Sequence, residues 1–392
     1  MHPTGPVARR FPLVARIRPV CLPLKARVGR LCELADTASQ RADPGRASTV
    51  FNQAALLASD LGLPEYAREL CHRHAALYLP RGPLPAMSAI RGLEPIVNLA
   101  RLHIRAGAHQ SGHQLLLDLD RSVTTSTATV LDGITVPAEL TETDQQRADV
   151  RAWLWRVVIA DGTRALTTAG RWSEALRHIE EHRGIGRRIL DGRQVAVLAA
   201  ATTGDTPSAL ALLEDTEQGD PWEDAVTAVL TALCSPGDKR AADQAICHCL
   251  ALDAEEGLTA FTTRLALTAL DAADPDTPSA QNLLRQLTSR TSESGDGYAL
   301  RDLLTHEGIR TRLEPSRISP LERALAACAL DSGTLPEALR ELLEEALDHA
   351  RRVLETAPFD PGSPGRNPLE RRNRTAPISV AAPHAEPPNS TP

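Results

Sequence analysis

A glycine followed five positions later by a small residue recurs along this chain, each time between apolar runs of helical spacing. The pairs are Gly62/Ala67, Gly107/Gly112, Gly170/Ala175, Gly204/Ala209, Gly237/Ala242 and Gly333/Ala338, and a copy lacking the glycine runs from Pro275 to Ala280. Four residues beyond each small position stands Cys71, Leu116, Ile179, Leu213, Ile246, Leu284 or Leu342, so a small and an apolar side chain share one helical face. Glycine enters the left-handed region without Cβ strain and ends the first helix, and the small residue lets the second helix come close. The unit is an αα-hairpin. Gly204 follows Gly170 by 34 positions and Gly237 follows Gly204 by 33, the period of one helix pair stacked on the next.

Composition agrees with helices nearly throughout. Aromatics make up 3% of the chain, Ala and Leu dominate, and no long run is rich in β-branched residues. All but Lys25 and Lys239 of the basic residues are Arg, a GC-rich coding bias without mechanistic content. The net charge of −7 gives no basic footprint of the kind that displaces counterions from nucleic acid, so direct nucleic-acid binding is not expected. No apolar run reaches the roughly 18 residues of a membrane span. A soluble, cytoplasmic chain follows as the expectation.

Within this pattern, "AGRWSEALRHI" (residues 169–179) resembles the turn and second helix of tetratricopeptide repeats. The likeness covers about residues 46–350 and is strongest over 150–250. It implies an all-α fold: a right-handed α-solenoid of about six or seven stacked antiparallel helix pairs. Residues 23–356 would form this array, capped at one end by "LKARVGRLCELADTASQ" and at the other by "PEALRELLEEALDHARRVLE". The leader, residues 1–22, is basic and broken by Pro and Arg, so a disordered segment or sequence ahead of a later start codon is expected, not an export signal. The Pro-rich tail, residues 357–392, is likewise expected to be disordered. An insertion at 120–146 lengthens one step of the repeat. Within it Asp132-Gly133 stands between "TVL" and "ITV", the signal for a two-residue β-hairpin, here expected to protrude.

The resemblance also places the first helix of each pair along a concave groove. Polar residues 10–15 positions before each small residue would face a ligand there: Asn52, then Asn98 and Arg101, then Asp161 and Arg164, then Gln194. Such side chains can hydrogen-bond peptide amides, and an Arg fork can grip a carboxylate. Peptide or protein recognition, as a scaffold or adaptor, is the function this implies. Two alternatives stand beside it: a sensor acting with a separate transcriptional regulator, and an accessory protein of a biosynthetic pathway.

Chemistry-bearing motifs are sparse. The chain has no phosphate loop, no G-x-S-x-G elbow and no H-E-x-x-H, and "RGIGRRILDG" (183–192) follows a helix where a dinucleotide fingerprint would follow a strand. Cys247 and Cys249 point to different sides of a helix, and His109/His113 and His178/His182 lack a third ligand at helical spacing. Trp153 and Trp155 cannot share a face, so one is expected to pack between repeats. The seven cysteines fit no zinc or redox spacing and read as reduced thiols. No metal, no cofactor and no catalytic residue is expected.

Overall fold

The structure is a computed structural model, and it describes residues 1–253 and 255–357. In chain order its helices are α1 (Pro6–Arg9), α2 (Leu24–Arg41), α3 (Pro44–Asp60), α4 (Pro64–Ala76), α5 (Ala86–Arg105), α6 (His109–Thr125), α7 (Asp144–Val157), α8 (Thr163–Thr168), α9 (Trp172–Glu181) and α10 (Asp191–Thr203). There follow α11 (Thr206–Glu214), α12 (Pro221–Cys234), α13 (Lys239–Ala251), α14 (Thr259–Ala272), α15 (Pro278–Ser294), α16 (Gly297–Leu304), α17 (Glu307–Arg310), α18 (Pro315–Ala327) and α19 (Glu337–Thr356). A π-turn, Val158–Gly162, joins α7 to α8. Strands β1 (Thr129–Leu131) and β2 (Ile134–Val136) pair antiparallel, Leu131 opposite Ile134. The fold is all-α apart from this hairpin, and among the described residues no helix is long and apolar enough to cross a membrane.

The turn glycines behave as their spacing requires. Gly62, Gly107, Gly170, Gly204 and Gly237 all have positive φ. Ala67, Gly112, Ala175, Ala209 and Ala242 are buried where α3 meets α4, α5 meets α6, α8 meets α9, α10 meets α11 and α12 meets α13. Gly112 allows a close approach, since a Cβ there would lie 2.7 Å from the Ala100 carbonyl oxygen. Ala280 of the copy without glycine is buried between α14 and α15.

The last copy departs from the pattern. Gly333 has φ of 70°, but Ala338 and Leu342 are exposed, and α19 lies on α2 and α3. The two segments expected as opposite caps therefore pack on each other. The reason lies in the apolar stripe of α19, Leu343, Ala346, Leu347, Ala350, Val353 and Leu354, which meets Val28, Leu31, Ala35 and Ala38 of α2 in one buried cluster. A stripe that long has too much apolar surface to leave at a free end.

One carboxylate fastens this closure. Asp60, at the last position of α3, is buried and accepts from Arg27 of α2 at 2.5 Å, from Arg105 of α5 at 2.9 Å and from the Tyr298 hydroxyl of α16. Beside it the loop before α19 adds backbone bonds, the Asp331 amide to the Asp60 carbonyl and the Gly333 amide to that of Leu61, both 2.7 Å.

Residues 1–22 are not loose. Ala8, Phe11, Leu13 and Cys21 are buried, the Trp172 indole donates to the Pro3 carbonyl at 2.9 Å, and Arg10 pairs with Asp271. The prolines and arginines that deny this segment a core of its own suit an extended strap whose apolar side chains enter the core of α8–α18 and whose guanidiniums meet carboxylates outside it. The hairpin also docks. Leu131, Ile134 and Val136 join the core of α2–α7, and Asp132 accepts from Arg68 of α4 and His103 of α5 at 2.6 and 3.0 Å. The ends of the expected insertion belong to α6 and α7. From residue 358 the expected tail lies outside the described residues.

Two measurements check this packing. Asp60→Ala leaves the Arg27 guanidinium, 10% exposed, without its carboxylate, and is expected to lower unfolding stability in urea by about 3–5 kcal/mol. His74, buried against Phe51 and hydrogen-bonded to Ser48 at 2.8 Å, is pushed by burial down to about 3. The unfolded chain then takes up a proton that the native one refuses. Stability is therefore full above about pH 6.5 and falls on acidification toward 3, with a His74 share of about 1.4 kcal/mol per pH unit. His74→Gln is expected to flatten that slope, and an unchanged slope would contradict the assignment.

Candidate functional site

Four of the six residues expected along the groove, Asn52, Asn98, Arg101 and Asp161, come together. Glu94, Asn98 and Arg101 stand at i, i+4 and i+7 on one face of α5, and Asn52 reaches them from α3. The Asn52 amide donates to Glu94 at 2.6 Å, that of Asn98 donates to the Asn52 carbonyl oxygen at 3.0 Å, and Arg101 donates to the Asn98 carbonyl oxygen at 3.0 Å. Arg101 then closes a bidentate pair with Asp161, Nε to Oδ1 at 3.0 Å and Nη2 to Oδ2 at 2.8 Å. Arg164 lies within electrostatic reach of Asp161.

The local backbone explains how Asp161 gets there. It lies in the π-turn, whose extra residue rotates the side chains that follow. Gly162 makes room for His178 of α9, because a Cβ would lie 2.7 Å from the imidazole Nε2. That nitrogen donates to the Val158 carbonyl at 3.0 Å, which leaves Nδ1 to accept from His113 at 3.3 Å. Burial holds both imidazoles below their ordinary range, His113 at about 4.

Electrostatics along the row is uneven. Burial pushes Glu94 up, against the opposing pull of Asn52 and Arg91. Burial also disfavours the Asp161 anion, but Arg101 outweighs it and holds the carboxyl below the usual range. Arg101 keeps 52% of its side chain exposed, and Asp161 holds it charged against the cost of desolvation.

Gln194 stands apart from this network and is fully buried. Its side chain holds the strap: the Leu13 amide donates to Oε1 at 2.7 Å, and Nε2 donates to the Leu13 carbonyl at 2.7 Å and to that of Ile189 at 2.8 Å. One turn earlier on α10, Asp191 pairs with Arg16. Further along, the Arg18 amide donates to the Gly257 carbonyl and the Gly297 amide to that of Cys21. The strap therefore runs along α10, α14 and α16, first helices of their pairs. The sequence reading missed this strap, Glu94 and the Asp60 junction. Glu94 could have been found one turn before Asn98 on the same face.

The remaining motifs are structural. In "RGIGRRILDG" a Cβ on Gly192 would meet the Gly184 carbonyl oxygen at 2.2 Å, and Arg188 is tied to Asp220 and Glu223. Trp153 is half-buried against the first core, and the exposed Trp155 donates to the His182 carbonyl. Cys247 is exposed and Cys249 buried. A cleft of about 450 Å³ between α2 and α19 is open to solvent and offers one polar pairing, His349 with Asp36 at 3.3 Å. Among the described residues no group of three or more His, Cys, Asp or Glu is arranged to hold a metal ion. No protein-family model, no curated protein and no solved structure matches this chain.

The network makes a quantitative forecast. Asn52→Ala and Asn98→Ala, which share a bond, are expected to be non-additive in stability by about 0.5–3 kcal/mol, whereas Asn98→Ala and Gln194→Ala, which share none, should add within about 0.5 kcal/mol. Urea unfolding of the singles and doubles measures both. Additivity in the first pair would break the network apart.

Proposed function

We propose that this chain is a non-enzymatic peptide-recognition protein of the tetratricopeptide-like kind, whose first helices line a groove that takes an extended segment of a partner protein. The observation that carries the reading is the Gln194 clamp. One side-chain amide bonds both the N–H and the C=O of Leu13, the way an added strand is read by its backbone, while Phe11 and Leu13 sink into the core on either side. What the groove does to its own strap it can do to a peptide of like pattern, apolar residues two apart flanked by arginines. Each carboxylate of the row is tied to an amide or a guanidinium, which suits recognition and leaves no free acid–base pair. With a net charge of −7, the favoured partner is a peptide or protein and not a nucleic acid.

The sensing alternative draws on the same observation. A groove occupied by a covalently attached strap binds another segment only by exchange, and the attached strap competes at high effective concentration. A signal peptide that displaced it would free residues 1–22 to report the event to a separate regulator.

The test loosens the strap in the full chain with Phe11→Asp and Leu13→Asp and adds a synthetic peptide of residues 5–18. Saturable binding by calorimetry is expected, weakened at least tenfold by adding Gln194→Ala, and much weaker binding to the unmodified chain, whose groove is filled. Equal binding with and without Gln194 would remove the clamp from the account.

A further inference from the structure

We propose that Cys21 and Cys328 form a reversible disulfide site, closed by hydrogen peroxide and reopened by a dithiol, that bonds the end of the N-terminal strap to the C-terminus of α18. The two residues lie 307 positions apart and are both fully buried, in a small cluster with Ala260 and Tyr298. Gly297 lets them meet. A Cβ on that residue would stand 2.9 Å from the Cys21 sulfur and 2.9 Å from the Cys328 sulfur, so the two thiols share the space a side chain would fill. The Cys328 sulfur also lies 3.3 Å from the Cys21 carbonyl oxygen.

Both backbones are fixed where the sulfurs converge. The Cys21 amide donates to Asp296 at 3.2 Å, and the Cys21 carbonyl accepts from the Gly297 amide at 2.7 Å. Cys328 caps the end of α18, its amide donating to the Leu325 carbonyl at 3.0 Å. A pair held in this way needs only small side-chain rotations to bond, with no movement of either chain segment. Residues 16–19, just ahead of Cys21, are exposed, so a local opening of this end of the strap admits a molecule as small as a peroxide.

The two thiols are not equivalent. Arg27 donates to the Cys21 sulfur at 3.5 Å and brings a positive charge to the place where a thiolate forms. A hydrogen bond from the Cys21 thiol holds Cys328 below the ordinary thiol range against the cost of burial, and the same bond pushes Cys21 up. Cys328 is therefore the attacking sulfur. Its thiolate bonds to one peroxide oxygen as the O–O bond breaks, and the hydroxide that leaves takes up the Cys328 proton as water. The Cys21 sulfur then attacks the resulting sulfenic sulfur, the S–O bond breaks, and the oxygen leaves with the Cys21 proton as a second water. Two thiols are oxidised to one disulfide, and one peroxide is reduced to two waters. The site stands on the observed strap and not on peptide recognition, so either can fail alone; where the strap is exchanged for a partner, the disulfide would oppose that exchange.

The experiment treats the folded full chain with hydrogen peroxide and maps its peptides without reduction. A peptide joining Cys21 to Cys328 is expected, lost again on adding dithiothreitol. The oxidised chain should unfold about 5 °C higher than the reduced one, because the bond closes a long loop in the unfolded chain. Cys21→Ser and Cys328→Ser are each expected to abolish the joined peptide and the rise, whereas Cys247→Ser, at an exposed thiol, keeps both. The map of the unsubstituted chain decides the matter even where a serine variant folds poorly. Both thiols still free after peroxide, either one bonded to another cysteine, or a Cys21–Cys328 bond that forms only in urea overturns the proposal.

Discussion

A single buried carboxylate decides how this chain ends its stacking. Asp60 gathers one side chain each from α2, α5 and α16, and the loop before α19 bonds to the backbone next to it. An ion so placed is costly to desolvate, and it is tolerated because three donors satisfy it at once. Its energetic worth is less in attraction than in specificity: any arrangement that parts α2 and α5 from α3 leaves an uncompensated charge in a buried setting, and one that parts α16 removes a hydrogen bond to it. The return of α19 onto α2 and α3 is the apolar counterpart, and it brings the last helix against two of the first long ones.

Burial changes what this row of polar side chains can be. In an open array the first helices face bulk water, and a row such as Asn52, Asn98 and Arg101 would be an ordinary solvated face. Here the same row is desolvated enough to raise Glu94 and to strengthen each hydrogen bond in it. The strap completes the interior. Its arginines find acids on α10 and α14, its two apolar anchors find the second core, and its backbone finds Gln194. The strap and the surface that accepts it are thus encoded in one chain.

Much of this was legible in the residues. The turns could be read because only glycine takes the left-handed conformation cheaply, and the adjacency of Asn98 and Arg101 because positions three apart share a helical face. The strap could not, for a segment with no core of its own looks disordered until the surface that accepts it is known. Nor could the closure: Gly333 and Ala338 have the spacing of every other turn, and only the exposure of Ala338 and Leu342 shows that no hairpin forms there. One signal was available. Asp60 ends α3, where the helix dipole disfavours an anion, inside the apolar run "AALLASDLGLP"; a carboxylate in such a place implies cationic partners from elsewhere in the chain.

Residue-resolved hydrogen exchange at the amides of Leu13, Gly297, Asp331 and Gly333 tests this account most directly. These amides join the strap to α10, α16 to the strap, and the last loop to α3. Each should exchange orders of magnitude more slowly than an unstructured chain, at rates comparable with the adjoining helices. Exchange of Leu13 at unstructured rates, with α10 still protected, would mean that the strap does not lie on Gln194 and that the packing described above does not form.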